Sequence, residues 1–118
     1  METLQHWING RLVAGSGDRR GDVFNPATGE VQKDVTYASV EDVDAAVATA
    51  KKASATWGNA SLAQRTRVLF AYRELVNRHK DDIARMLTME HGKVFSDAQG
   101  EVQRGLEVIE FACGLAHL

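Results

Sequence analysis

The sequence predicts an α/β chain in two stretches, β-hairpins over residues 1–38 followed by three α-helices over residues 39–118. Three observations carry that reading. The only proline, Pro26, and much of the glycine fall in the first third, where residues that fix or free φ punctuate short extended pieces. Alanine, glutamate and long straight-chain residues dominate afterwards, a composition that loses little side-chain freedom in a helix. Each later apolar-periodic run also opens with a serine, whose hydroxyl can accept from the unpaired N–H groups of a first turn.

The elements follow in order. Between His6 and Val13, Asn9-Gly10 separates short apolar pairs and offers the two positive-φ residues that a type I′ hairpin turn requires. Gly15 to Gly21 reads as a polar loop. Val23-Phe24 then leads through Asn25-Pro26-Ala27-Thr28-Gly29-Glu30 to Val31 and Val35, a second turn between extended segments. The first helix starts after Ser39, which has Asp42 three residues on. It carries Val40, Val43, Ala46, Val47 and Ala50 at helical spacing and ends at Trp57-Gly58. The second starts after Ser61, with Gln64 completing a capping box. Its stripe of Val68, Leu69, Tyr72, Leu75 and Val76 continues past a break near His79-Lys80-Asp81 through Ile83, Met86 and Leu87, and Gly92 stops it.

The third helix starts at about Asp97, with Ser96 and Gln99 as its capping box, and runs toward Leu118 with no capping glycine. It shows two apolar stripes. Val102, Leu106, Ile109, Cys113 and Ala116 share one side, and Val108, Phe111, Leu115 and Leu118 lie nearly opposite. A helix apolar on both sides belongs between two layers, which a lone unit of 118 residues has difficulty providing, so the pattern implies a piece of a longer polypeptide.

Composition narrows the function classes. At 118 residues, 44% hydrophobic and 25% charged, the chain fits one compact soluble unit with a modest core. With 14 basic against 16 acidic side chains the formal charge is -2, no electrostatic footprint for nucleic acid or an anionic membrane. One cysteine excludes an internal disulfide and a cysteine-based zinc site and suits a reducing compartment, the cytosol or a mitochondrial matrix. No apolar run approaches a membrane span, and residues 1–8 lack the parts of a signal peptide, so a cytoplasmic location is expected.

Few side chains point to chemistry. Arg104 shares the second stripe with Val108, Phe111 and Leu115, and a cation on a face headed for burial needs an anion. Two readings stand: an ion pair along the helix with Glu101 or Glu107, each three residues away, or an anionic ligand or distant carboxylate. Arginine suits the latter because its planar fork takes a carboxylate bidentately and stays charged when desolvated. Cys113 lies on the apolar stripe with Leu106 and Ile109 and reads as a small buried hydrophobe. His6, His79, His91 and His117 lack the spacing of a helical metal pair, so no metal is expected. Glu90-His91-Gly92-Lys93 closes the second helix, with His91 and Lys93 complementing its dipole. Neither phosphate-loop pattern occurs, and no constellation of acid, base and nucleophile assembles, so the chain alone is expected to be inert, with no catalytic residue of its own.

Taken in order, Trp7-Ile8-Asn9-Gly10, Asn25-Pro26-Ala27-Thr28-Gly29-Glu30-Val31, Glu90-His91-Gly92-Lys93, Gly100-Glu101-Val102 and Phe111-Ala112-Cys113-Gly114 resemble the N-terminal part of the aldehyde dehydrogenase superfamily. The run Glu101 to Ala112 looks most like its CoA-acylating branch, which acts on methylmalonate and malonate semialdehydes. The resemblance implies an enzyme in which a cysteine thiolate attacks the aldehyde, hydride passes to NAD, the thioester goes to coenzyme A and carbon dioxide is lost. It places the nucleophile, the general base and the NAD and coenzyme A sites beyond Leu118, with the helices of this chain flanking the NAD-binding domain. Cys113 matches a helix position of the family rather than its nucleophile, whereas Arg104 matches the arginine that the branch uses on the substrate carboxylate. The implied partners are a small semialdehyde and further copies in a homo-oligomer, dimer or tetramer, with neither nucleic acid nor membrane. A sister branch acting on another semialdehyde and a stand-alone helical interaction module are the alternatives.

Overall fold

In a computed structural model, which describes residues 1–118, Asn9 and Gly10 take φ of 55° and 72°. These are the two left-handed residues of the expected hairpin, and they join β2 (His6–Ile8) to β3 (Arg11–Val13), paired antiparallel with Trp7 opposite Leu12. The second expected turn joins β4 (Arg20–Phe24) to β5 (Val31–Thr36), also antiparallel. Asn25 closes it: its N–H donates to the Glu30 carbonyl at 2.8 Å, its carbonyl accepts from Thr28 and Gly29, and its side chain accepts from the Ala27 N–H at 2.9 Å. Gly29 takes the left-handed φ of 75° that the turn needs. One strand was not expected. β1 (Glu2–Leu4) pairs parallel with β5, giving a three-stranded sheet in the order β1-β5-β4. On that sheet the buried Asp34 accepts from Arg20 at 2.5 Å, and the Thr3 hydroxyl and Arg20 together hold its carboxyl below the ordinary range.

Helix α1 (Val40–Trp57) starts where Ser39 accepts from the Asp42 N–H and Asp42 accepts in return from Ser39 N–H, a complete capping box. Asp42 also accepts from the Ser16 N–H at 2.8 Å, and that bond, ahead of the one from Ser39, lowers its carboxyl from the ordinary value. The same box forms at α2 (Leu62–Arg78) between Ser61 and Gln64.

The structure has four helices where the sequence predicts three. The second segment divides at His79, whose φ of -104° and ψ of 14° leave the helical region, so α2 ends and α3 (Lys80–His91) begins anew. The last helix, α4 (Phe95–Cys113), begins before the expected Ser96: its cap is Val94, with no side-chain cap bond. Gln99 does not reach back to Ser96 but donates to Asp81 of α3 at 2.9 Å, so a contact between helices replaces the local one. Gly114 ends α4 after Cys113, and Leu115–His117 form a 3-10 turn, where the sequence suggested an uninterrupted helix.

Residues 1–59 and 60–118 form two compact units where composition suggested one. The strands and α1 make the first. In the second, α3 packs on α4; Ala84 on one and Ala98 on the other are fully buried, and Leu106 and Cys113 continue the buried side of α4. No helix is long and apolar enough to cross a membrane.

Candidate functional site

The site is built on α4 and the short connection before it. Gly92 ends α3 at φ 85°, a left-handed residue that any side chain would strain, and its N–H closes on the Thr88 carbonyl at 2.8 Å. The chain then reverses through Lys93 and Val94 into α4. Lys93 Nζ donates to Glu101 Oε1, two turns into that helix. The lysine side chain is only 16% exposed, whereas Glu101 stays half-exposed. Lys93 first, and more weakly His91 and Arg104, hold the Glu101 carboxyl below its ordinary value.

Arg104 is exposed and makes no hydrogen bond or ion pair. Both carboxylates expected to pair with it are held elsewhere: Glu101 by Lys93, and Glu107 by Gln103 at 3.4 Å. Glu110, further along, receives Arg73 of α2 through Nη2 at 2.6 Å and Nε at 3.0 Å. Arg104, Lys93, Ser96, Asp97, Gly100 and Glu101 line an open concavity of about 360 Å³.

The two stripes of α4 separate cleanly. Leu106 and Cys113 are 2% and 4% exposed, while Val108 and Phe111, on the stripe of Arg104, are 68% and 67% exposed. The second stripe, expected to be buried between layers, is therefore uncovered in this chain. Cys113 is a buried free thiol among core residues, a packing role. No group of histidine, cysteine, aspartate or glutamate is arranged to hold a metal ion.

The N-termini of α1 and α2, where a phosphate would meet free N–H groups, are closed by the chain's own Ser39-Asp42 and Ser61-Gln64 pairs, whereas α3 and α4 carry no side-chain cap. No step of NAD chemistry is assigned to this chain. The residue that the sequence reading missed is Lys93: it was expected to serve the α3 dipole and instead holds a side chain of α4. A pair spanning eight positions from the residue before the helix cap into the helix has no periodic signal.

A model of the aldehyde dehydrogenase family matches residues 12–118. Malonate-semialdehyde dehydrogenase 3 of Geobacillus kaustophilus is 47% identical over 117 residues, covering 99% of this chain and 24% of its own length. The malonate-semialdehyde dehydrogenase of Listeria innocua is 43% identical over 111 residues, 94% of this chain and 23% of that protein. Among solved structures, one described as a methylmalonate-semialdehyde dehydrogenase from Sinorhizobium meliloti, complexed with NAD, superposes with a TM-score of 0.94 at 45% identity over 99% of this chain and 24% of that one. An NAD-dependent benzaldehyde dehydrogenase from Corynebacterium glutamicum gives a TM-score of 0.86 at 32% identity over 93% of this chain and 24% of that one. The chain thus spans about a quarter of the length of these relatives. With the family model matched from the first hairpin to the last residue, this chain belongs to the aldehyde dehydrogenase family.

Proposed function

We propose that this chain is the N-terminal quarter of a methylmalonate or malonate semialdehyde dehydrogenase, and that its own chemical contribution is one substrate-binding side chain, Arg104. The observation that carries this is the uncommitted guanidinium: its helical neighbours Glu101 and Glu107 are engaged by Lys93 and Gln103, and it stands at one end of an uncovered apolar stripe. In the whole enzyme that stripe meets polypeptide that this chain does not span. The relatives named for malonate and methylmalonate semialdehydes support the substrate class, since both aldehydes carry a carboxylate that a guanidinium can grip with two parallel bonds. In a site closed off from water such a pair is much stronger than on the surface.

NAD would take the hydride and coenzyme A the acyl group, both on residues outside this quarter; the solved relative with NAD supports the first. Oxidation leaves a thioester whose α-carbon bears the carboxylate, and loss of carbon dioxide follows because the thioester carbonyl accepts the electron pair. On the same reading the enzyme is a cytoplasmic homo-oligomer without nucleic-acid or membrane partners; the net charge of -2 on this quarter bears only on the last part of that reading, the lack of such partners.

The test is Arg104→Leu in a full-length enzyme carrying this segment. It is expected to lower kcat/KM for malonate semialdehyde roughly 10- to 100-fold more than for propanal, the range of a hydrogen-bonded charge pair. An equal loss on both aldehydes would remove the carboxylate role and favour a sister branch or a structural arginine.

A further inference from the structure

We propose that Lys93 is a positioning residue that keeps Arg104 open to an anionic substrate, by holding Glu101, the carboxylate onto which Arg104 would otherwise fold. The proposal rests on the reading of Arg104 as the anchor of the substrate carboxylate. Glu101 stands three residues before Arg104, a spacing at which oppositely charged side chains on a helix meet without help. They do not meet here. Glu101 turns instead to Lys93, and both ends of that choice are fixed by the fold.

Only Val94, extended at φ -63° and ψ 148°, separates Lys93 from the first turn of α4, and the lysine side chain is largely buried. An ion pair with one partner so shielded is screened less than a pair between two exposed side chains, so Lys93 wins the competition against Arg104. The depressed carboxyl of Glu101, owed first to Lys93 and only weakly to Arg104, agrees with that order. Of the remaining acids on the same helix, Glu107 is held by Gln103, Glu110 by Arg73, and Asp97 lies about 10 Å nearer the helix start than Arg104. Removing Lys93 therefore leaves Glu101 as the natural partner of Arg104. A guanidinium neutralised from within its own helix must break that pair before it can take a substrate carboxylate, and the cost falls on KM rather than on kcat.

In the full-length enzyme, Lys93→Met is expected to raise KM for malonate semialdehyde about tenfold with kcat little changed, while propanal shifts less than about twofold. The double variant Lys93→Met/Glu101→Gln should restore the KM, and Lys93→Arg should keep it. A merely structural lysine would give no rescue by Glu101→Gln. Gly100→Glu provides the same test with Lys93 intact: nothing lies within 4 Å of a Cβ at Gly100, and a glutamate four residues before Arg104 would be a competitor that Lys93 does not hold. It too should raise KM for the anionic aldehyde alone. The proposal is overturned if the double variant stays as impaired as Lys93→Met, or if Gly100→Glu leaves KM unchanged. A crystal structure of the Lys93→Met enzyme separates this from the fate of the anchor reading. Glu101 turned onto Arg104 upholds the positioning role even where Arg104→Leu harms both aldehydes equally, and Glu101 remaining apart from Arg104 removes it even where that variant is selective.

Discussion

The two faces of α4 differ as a core differs from an interface. On one, Ala98, Leu106 and Cys113 are closed off within residues 60–118. On the other, Val108 and Phe111 are as apolar but about two-thirds exposed, and Arg104, on the same stripe, is exposed while Glu101 is held by Lys93. The same helix thus stabilises its own unit with one side and keeps the other for something outside it. Hydrophobicity alone does not distinguish the faces, because both stripes read alike in the sequence; what separates them is whether another element of this chain covers them.

That contrast can be broken or sharpened by substitution. The largest effect is expected at the covered face: Leu106→Ala should destabilise the helical unit by about 2–5 kcal/mol, the range for emptying a buried leucine site. Val108→Ala should stay within about 0.5 kcal/mol in the same chain, since the side chain is mostly exposed. Denaturant midpoints of the two variants compare them directly, and equal losses would mean that Val108 is covered after all. A smaller effect is expected in association. The isolated chain exposes Val108, Phe111 and Leu115 together, so sedimentation should show self-association that rises with concentration and weakens in Phe111→Ser. A monomer at all concentrations would show that the face does not need cover.

The smallest effect concerns pH. Lys93 holds the Glu101 carboxyl below its ordinary value, so the pair contributes stability that is present above the unfolded value, about 4.3, and lost as pH falls through the lower folded one. Unfolding curves of the native chain and of Lys93→Met should therefore converge toward strong acid. A gap that persists there would place the lysine's contribution in its buried stem rather than in its charge.

Much of the fold was legible where one short stretch decides its own geometry. Asn9-Gly10 makes its turn with two residues of positive φ, and the serines Ser39 and Ser61 find donors three residues on. Reading failed where a distant partner outcompetes the local one. Ser96 and Gln99 have the spacing of a capping box, yet Gln99 bonds to Asp81 and the helix starts at Phe95. β1 has no turn to announce it, because its partner in the parallel ladder lies about thirty residues away. The break read near His79 does fall there, but it ends one helix and starts another, so the count is four rather than three. At the site, spacing alone left Arg104 between an internal pair and a ligand, and the geometry of Lys93, which decides what Glu101 does, was invisible to a reading along one helix.

The most direct measurement is a crystal structure of a full-length enzyme carrying this segment, grown with malonate as an unreactive dicarboxylate. The expected result is a malonate carboxylate within about 2.7–2.9 Å of the Arg104 guanidinium nitrogens, beside Val108 and Phe111 covered by the rest of the polypeptide. Arg104 pointing into bulk solvent, or bound to a protein carboxylate with malonate elsewhere, would contradict it.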